Sequence, residues 1–255
     1  MSNLQSRVLL VEGDDDKHFV KNFCYKMLSN KLVCKFAEED KGSDSDDNST
    51  PILYIDSGSR KEGGIENTIK RISPQIKKEG REVVAILADA NGQGFDSPEH
   101  PWQKIRSKLE EVLNFEDALP ELPCHKGLIR RNVRPKQKPK STLHVGIWLM
   151  PDNQSSGELE NFFAGLIHEN NRTWPLAKEY ISQYVRSIER TGNQRGGFNI
   201  NQPHKVSKAK VYAWLATRKK KPGKMGAAIS TDDGLDFNSE LARRFAQWLK
   251  DLFCF

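Results

Sequence analysis

The sequence has little of what marks secreted, membrane-bound or disulfide-rich proteins. Its four cysteines, Cys24, Cys34, Cys124 and Cys254, are scattered, with no C-x-x-C pair and no histidine at metal-ligand spacing. We therefore expect neither a zinc site nor a disulfide framework, and a reducing cytoplasm is the favoured location. No apolar run approaches the roughly 18–20 residues that span a bilayer, and the first residues lack the pattern of a signal peptide. These absences predict a soluble cytoplasmic protein without a membrane partner.

Two further absences narrow the architecture and the function. No G-x-x-x-x-G-K-[ST] loop is present, which argues against a self-contained P-loop ATPase. The sequence has no internal repeat, and its 255 residues suit one α/β domain with additions. A chain of this length buries roughly 70–75 % of its unfolded surface, so folding requires no disulfide and no structural metal.

Charge is present in quantity, but it is unevenly distributed. The net charge is +6, with an acidic, serine-rich stretch at residues 38–47 and basic tracts at residues 126–140 and 205–224. Two interpretations of the basic tracts remain open. They are ordinary solvated loops, or they bind a polyanion.

Apolar runs and helical periodicity alternate along most of the chain. The predicted strands, buried on both faces, are residues 8–11, 52–56, 83–88 and 144–150. The predicted helices are residues 17–31, 65–78, 102–112, 158–166, 174–188, 206–216 and 239–253. Repeated β-α units imply a mainly parallel central sheet flanked by helices. We expect this α/β domain to cover residues 1–172, with a basic insertion near 120–142, and residues 173–255 to form a helical extension packed on it.

The most informative segment is the first strand and the turn after it. Val8-Leu-Leu-Val11 leads directly into Glu12, Gly13 and three aspartates. Gly13 lets the backbone turn sharply, and residues 14–16 suit the N-cap and first turn of a helix, which we favour over a metal-binding role for them. Glu12 then lies at the carboxyl end of a central strand, where open α/β sheets bind ligands. A carboxylate there is a metal ligand, a catalytic acid or base, or a solvated strand end.

Two more buried strands end in acidic residues. Asp89 and Asp152 follow these strands, and Glu158 and Glu160 begin the helix after the second one. The carboxyl ends of parallel strands share one edge, so these side chains should converge. Two carboxylates 4 Å apart repel by roughly 4 kcal/mol at an effective dielectric of about 20, so such a cluster needs a proton or a cation. With oxygen ligands alone the cation would be Mg²⁺ or Mn²⁺, which implies phosphoryl transfer or phosphodiester hydrolysis.

At this point the motifs resemble those of the Toprim fold of topoisomerases, primases and OLD-family nucleases. Residues 8–16 are similar to its glutamate-bearing first motif, and Ile86-Leu-Ala-Asp-Ala-Asn91 is similar to its Asp-x-Asp motif, with asparagine at the second acidic position. Residues 148–161 are similar to the fourth-strand end of stand-alone Toprim proteins of the DUF3226 and DUF4435 type, which are related to OLD nucleases. The resemblance covers roughly residues 5–170 and implies a Toprim-like fold.

The resemblance also implies roles for individual residues. Glu12 would act as a general acid/base or a metal ligand, and Asp89 would bind Mg²⁺ or Mn²⁺, with Asp152 and Glu160 completing the set. Asn91 can offer a carbonyl oxygen but no negative charge, which should weaken one metal site.

Basic side chains are the candidates for holding a nucleic acid. Arginines and lysines in a proline-containing arm suit phosphodiester contacts, which give affinity without sequence information. Lys208, near the start of a predicted helix, is also a candidate for contact with the scissile phosphate, and thus for a catalytic role. The nucleic-acid-binding candidates are Arg130, Arg131, Arg134, Lys136, Lys138, Lys205 and Lys208.

The expected function is Mg²⁺-dependent hydrolysis of DNA or RNA. The resemblance adds an AAA- or ABC-type ATPase as an expected partner, because some of the similar proteins are encoded beside such ATPases in phage defence. Two alternatives stay open. One is a non-catalytic nucleic-acid-binding or ATPase-partner subunit whose metal site is degraded at Asn91, and the other is a metal-dependent phosphotransferase that acts on a small molecule.

Overall fold

The fold is built on a seven-stranded sheet with helices on both faces. The computed structural model describes residues 6–29, 31–38, 50–58, 63–90, 97–191, 199–218, 224–231 and 234–254. The strands are β1 (Arg7–Leu10), β2 (Val33–Phe36), β3 (Ile52–Asp56), β4 (Val83–Asp89), β5 (Leu113–Asn114), β6 (Leu128–Pro135) and β7 (Leu143–Met150). The helices are α1 (Asp14–Leu28), α2 (Ile65–Lys77), α3 (Glu99–Val112), α4 (Leu159–Gly165), α5 (Thr173–Thr191), α6 (Pro203–Ala216), α7 (Met225–Thr231) and α8 (Glu240–Phe253).

The strand order determines where a ligand site is expected. Across the sheet the order is β2-β3-β1-β4-β7-β6-β5. The strands from β2 to β7 pair in parallel, whereas β6 runs antiparallel to both of its neighbours. From β1 the chain moves to β2 and β3 on one side and then crosses to β4 on the other side. The topological switch point, where open α/β sheets bind ligands, therefore lies at the carboxyl ends of β1 and β4.

Alternate residues of the central strands face two different core layers. In β1, Val8 and Leu10 pack with apolar residues of α2 and α3, whereas Leu9 packs with α1, α4 and α8. All three side chains are fully buried. Burial on both faces is the physical reason for the unbroken apolar runs in the sequence. It confirms the predicted α/β class with a mainly parallel sheet flanked by helices.

The C-terminal helices belong to one of these two layers. The rings of Phe245 and Trp248 on α8 pack against Trp148 of β7, with centroids 5.0 Å and 5.8 Å apart. Leu249 and Leu252 continue the same buried stripe. The predicted extension is therefore helical, and its last helix covers the sheet as directly as α1 does. None of the helices in the described part of the chain combines the length and apolar character of a membrane span.

Several elements differ from the sequence-based expectation. The predicted strands and helices are present with small shifts at their ends, but β2, β5, β6 and α7 were not predicted. Residues 128–135, expected to be a loop or an arm, form β6, in which Leu128 and Val133 are buried and the arginines are not. Sequence patterning did not predict β6 because charged residues dominate this segment. A register shift between Arg130 and Val133 also interrupts the alternation of apolar residues. In α7, Gly226 lies so close to α1 that an added Cβ would come within 2.9 Å of the His18 backbone.

Candidate functional site

Glu12 and Asp89 meet at the switch point. The parallel register of β1 and β4, with Leu10 opposite Ile86, carries both residues to the same edge of the sheet. The backbone N–H of Asp89 donates a hydrogen bond of 2.8 Å to Oε1 of Glu12. The two acidic strand ends that sequence patterning placed together are thus in direct contact.

Asp16 turns back toward the same place. Its Oδ2 accepts a hydrogen bond of 2.9 Å from the backbone N–H of Gly13, the N-cap residue of α1. This N3-to-N-cap contact is half of a capping box and draws the side chain back over the helix start. For residues 14–16 we favoured a helix-start role over a metal-binding role. Asp16 has that role, and it also lies among the site carboxylates.

The start of α4 adds Glu158 and Glu160. The backbone N–H of Leu159 donates a hydrogen bond of 3.0 Å to Oδ1 of Asp89, which fixes the first turn of α4 against the end of β4. Glu158 is the N-cap residue of the helix, and Glu160, in its first turn, is only 4 % exposed. Oε1 of Glu160 lies 2.9 Å from Nζ of Lys208 on α6. Glu160 and Lys208, both predicted site residues, therefore form an ion pair.

We call Glu12, Asp16, Asp89, Glu158 and Glu160 the carboxylate cluster. Burial raises the pKa of Glu12 to about 8, and Asp16 and Glu158 add repulsion. Burial likewise raises the pKa of Asp16 to about 7, with Glu160 contributing. The pKa of Asp89 lies well above its usual value, through burial first and then through the charges of the other four carboxylates. Glu12, Asp16 and Asp89 thus hold protons at higher pH than ordinary carboxyl groups do, as expected when no cation neutralises them.

Basic side chains lie at the rim of the cluster. Arg71 of α2 donates hydrogen bonds to the backbone oxygen of Asp56 at 2.7 Å and to its Oδ1 at 3.0 Å. Nζ of Lys224 lies 3.7 Å from Oδ1 of Asp15 at the start of α1. Desolvation opposes the charge of Lys208, but Glu160 outweighs it and raises the lysine pKa. Three basic side chains therefore lie around the cluster, each paired with a carboxylate.

Asp152 lies in a different environment from the cluster. Its carboxylate accepts hydrogen bonds from the backbone N–H groups of Gln154 and Ser155, at 3.0 Å and 2.7 Å, and from the Ser155 hydroxyl at 3.0 Å. Partial burial opposes its charge, but these donors and Arg244 hold the pKa of Asp152 below its usual value. The resemblance implied that Asp152 completes a metal-ligand set, whereas the structure engages it in its own turn. Asn91, the other proposed ligand, lies outside the described residues.

The carboxylate oxygens of the cluster suit a hard cation, but the side chains are not arranged around a single point. Among the described residues, no three Asp, Glu, His or Cys side chains are arranged to hold a single metal ion. Glu12, Asp16 and Asp89 each use one carboxylate oxygen to accept a backbone N–H. Within the described part of the chain, the second oxygen of Glu12 and that of Asp89 have no hydrogen-bond donor and remain for a ligand. An all-oxygen donor set with excess negative charge fits Mg²⁺ or Mn²⁺.

The predicted nucleic-acid-binding residues divide between the two edges of the sheet. Lys205 and Lys208 lie on α6, and Lys208 reaches the cluster at the carboxyl edge. Arg130, opposite Val145, lies in the first half of β6, closer to that edge than Arg131 and Arg134.

The later basic residues follow β6 away from the cluster because this strand is antiparallel. Arg131 contacts the backbone oxygen of Asp251 near the end of α8. Arg134 pairs with β5. Lys136 and Lys138 donate hydrogen bonds of 2.7 Å to backbone oxygens at the carboxyl ends of α3 and α2. These helix ends lie at the amino edge of the sheet, so one contiguous basic tract does not form one surface beside the carboxylates.

Sequence reasoning missed the contribution of Asp16 and Glu158 to the cluster. A usable signal existed for Asp16, because Gly13-x-x-Asp16 has capping-box spacing directly after a strand end, and an N3 side chain in that motif points back toward the strand. For Glu158, compensation for the helix dipole was favoured over a ligand role. Its closeness to Glu12 depends on how α4 packs, which local patterning does not encode.

Comparison with known proteins gives a single family match. The model of a family described as a protein of unknown function, DUF3226, matches residues 6–254. No curated protein and no solved structure matches the chain. The match spans both the sheet and the C-terminal helices, and the Toprim relationship implied by the motifs stays a prediction. The chain is a member of the DUF3226 family.

Proposed function

We propose that the protein hydrolyses a nucleic-acid phosphodiester with the help of Mg²⁺ or Mn²⁺ bound at the carboxylate cluster. The observation that carries the proposal is that five carboxylates lie at the switch point, close enough that four of them raise the pKa of the fifth, Asp89. The Asp89 N–H is bonded to Glu12, and the Leu159 N–H is bonded to Asp89. Such a concentration of negative charge destabilises the fold unless it serves a ligand, and a divalent cation is the ligand that oxygen donors favour. The finer assignment to a Toprim-type nuclease is part of this proposal.

Metal binding and proton transfer are assigned to different carboxylates of the cluster. Asp16, Asp89 and Glu160 would hold the cation once their side chains turn toward one point, and a bound cation would neutralise phosphate oxygens and lower the pKa of a bound water. Glu12 is assigned to proton transfer at the reacting oxygens, because the Asp89 N–H fixes one of its oxygens and no described residue donates a hydrogen bond to the other. A raised carboxyl pKa near neutrality suits that role.

The basic side chains around the cluster, Arg71, Lys208 and Lys224, favour a polyanionic substrate. The 2.9 Å contact with Glu160 holds Lys208 at the cluster. Its ammonium group can therefore contact a phosphate without losing further side-chain entropy. Lys205 lies nearly one turn earlier on α6. Lysines in these positions neutralise backbone phosphates and carry no base specificity, which fits a nuclease that recognises nucleic acid mainly through its backbone.

The test is a cleavage panel on single- and double-stranded DNA, on RNA and on mononucleotides, with Mg²⁺, Mn²⁺ or EDTA. Metal-stimulated cleavage of a polynucleotide is expected for the wild type, and Glu12→Gln and Asp89→Asn should lose it. The matched control is Glu111→Gln on α3, a surface carboxylate paired with Lys108. Binding without turnover on every substrate would replace the proposal with a non-catalytic binding subunit, and turnover of mononucleotides alone would replace it with a phosphotransferase.

A further inference from the structure

A cleft between the start of β6 and α8 has the size and construction of a ligand site. Its volume is about 650 Å³, which lies within the range of roughly 300–1,000 Å³ typical of small-molecule sites. One wall is the segment of residues 124–130. The other wall is one face of α8, because its residues recur every three or four positions. The α8 residues are Glu240, Arg243, Arg244, Gln247, Trp248 and Asp251.

Positive charge predominates in this cleft. Four lysine or arginine side chains line it, against two carboxylates. Both carboxylates are engaged: Oε1 of Glu240 lies 3.5 Å from Nη1 of Arg244, and Oδ1 of Asp251 accepts a hydrogen bond of 2.6 Å from Gln247. Three of the cations form no ion pair within the described part of the chain, namely Lys126, Arg130 and Arg243.

The fourth cation, Arg244, is built into the wall. Its side chain is 15 % exposed, and its Nη1 contacts Nε2 of His125. Its Nε–H is buried and has no hydrogen-bond partner among the described residues. A buried guanidinium N–H without an acceptor is costly, so Arg244 has donor capacity that the described residues do not meet. Phosphate oxygens match the planar donor edge of arginine best.

The walls of the cleft are rigid before any ligand arrives. Gly127 has a φ of 77°, and an added Cβ would come within 2.6 Å of the Trp248 ring. The Trp248 indole donates a hydrogen bond of 3.1 Å to the backbone oxygen of Leu128. The Asn153 amide reaches the backbone oxygen of His125 at 3.4 Å. A preformed site of this kind loses little entropy on binding.

The cleft opens at the same edge of the sheet as the carboxylate cluster. Leu128 at the start of β6 lies opposite Ile147 near the carboxyl end of β7, and β7 lies beside β4, which carries Asp89. Two inter-strand spacings therefore separate the lines of β4 and β6, which amounts to about 10 Å. A chain of a few nucleotides covers that distance.

We propose that this cleft binds backbone phosphates of the same nucleic-acid chain that the carboxylate cluster cleaves, and the proposal thus rests on the function proposed above. The cleft would hold the chain to one side of the cleaved bond, with Arg244 fixed in the wall and Lys126, Arg130 and Arg243 as mobile phosphate contacts. This adds Arg243 and Arg244 of α8 to the predicted basic residues, together with Lys126, which belongs to the basic tract at residues 126–140 but was not among the named candidates.

The experiment measures binding, separately from cleavage. Fluorescence anisotropy of a short fluorescein-labelled single-stranded DNA, and of the RNA of the same sequence, is recorded in EDTA over a range of salt concentrations. The double variant Lys126→Ala/Arg243→Ala is compared with wild type and with Lys104→Ala/Lys108→Ala, which removes the same charge from α3 on the opposite face of the sheet. The cleft variant should bind roughly 10-fold more weakly at low salt, with a slope of log K against log salt smaller by about 1–2. The control should bind as wild type does.

Two binding results would contradict the proposed role of the cleft. Wild-type affinity and slope in the cleft variant, for both DNA and RNA, would overturn the proposal. So would unchanged oligonucleotide binding together with lost binding of adenosine monophosphate by calorimetry, because the cleft would then be a site for a free nucleotide. Failure of the catalytic proposal is distinguishable, since it would appear as cleavage that survives Glu12→Gln and Asp89→Asn, while the EDTA binding data test the cleft alone.

Discussion

The neighbouring strands β4 and β7 lead to an aspartate at the same edge of the sheet, since β4 ends at Asp89 and Asp152 follows the end of β7 by two residues, and the two aspartates are in opposite electrostatic states. Asp89 lies among carboxylates, and its pKa is raised by burial and repulsion. Asp152 lies among hydrogen-bond donors, with Arg244 nearby, and its pKa is lowered. The end of a buried strand therefore determines only where a carboxylate lies. The residues that other helices and turns place around it determine whether its pKa is raised or lowered.

The largest expected difference between the two aspartates is in catalysis. Asp89→Asn should reduce metal-stimulated cleavage by about 100-fold or more, because a preorganised charge at the reacting site is lost. Asp152→Asn should retain most of the activity per folded molecule, because its carboxylate faces its own turn. Initial rates at saturating Mg²⁺ measure both, and equal losses would show that the two strand ends act as one site.

The second difference is in the pH dependence of stability. The folded-state pKa of Glu12 is about 8 against an ordinary value of 4.5, so the folded state binds more protons than the unfolded state between these values. The free energy of unfolding should therefore fall as pH rises from about 5 to 8. Glu12→Gln keeps the acceptor for the Asp89 N–H without the charge, and at pH 8 it should stabilise the fold by about 1–2 kcal/mol after allowance for solvent screening, or roughly 3–6 °C in Tm.

The measurement for this second prediction is thermal unfolding of wild type and Glu12→Gln in the absence of divalent ions. The two curves should converge near pH 5 and separate toward pH 8. A wild type that becomes more stable over that interval, with no gain from the variant, would contradict the assigned repulsion. Glu111→Gln on α3 serves as the charge-matched control.

A third difference concerns metal ions. Mg²⁺ should raise the Tm by about 2–4 °C at several times its Kd, because it binds the folded state only. The shift should be larger at pH 8 than at pH 5.5, since protons compete for the same oxygens. Asp89→Asn should lose the shift and Asp152→Asn should keep it. An equal shift in all three proteins, or in KCl of matched ionic strength, would place the effect outside the carboxylate cluster.

The smallest effect is the contribution of Asp152 to stability. Its lowered pKa means that the charged form stabilises the fold above the unfolded-state value of 3.8, and that this contribution disappears as pH falls through the folded-state pKa. Asp152→Asn should therefore cost about 0.5–1 kcal/mol at pH 7. Urea unfolding at stepwise lower pH should show the difference from wild type shrinking toward pH 3, and a difference that is constant with pH would contradict this origin.

Much of the fold was predictable because burial leaves a clear trace in the sequence. Four strands with both faces buried, and the amphipathic helices between them, were located from apolar patterning alone. β2, at the edge of the sheet, and β6, covered by charged residues, leave no such trace. α7 was missed because it is short and its first turn contains a glycine, required only by contact with α1.

The candidate site was predictable to a similar degree. Glu12 and Asp89 follow from strand-end position, and Glu160 and Lys208 came from the helix starts that the motifs marked. Asp16 and Glu158 were undervalued, because a helix-start carboxylate looks the same in sequence whether it faces solvent or another carboxylate.

The sequence by itself determined the α/β class, the parallel core and the edge at which acidic residues gather, because hydrophobic periodicity and parallel pairing are local consequences of residue order. Only the tertiary structure decided which acids share one environment. The packing of α1 and α4 against the ends of β1 and β4 brings five carboxylates together, while the turn after β7 and Arg244 of α8 separate Asp152 from them. Likewise, the antiparallel direction of β6 decides which basic residues lie near the cluster, since strand direction depends on pairing across the sheet.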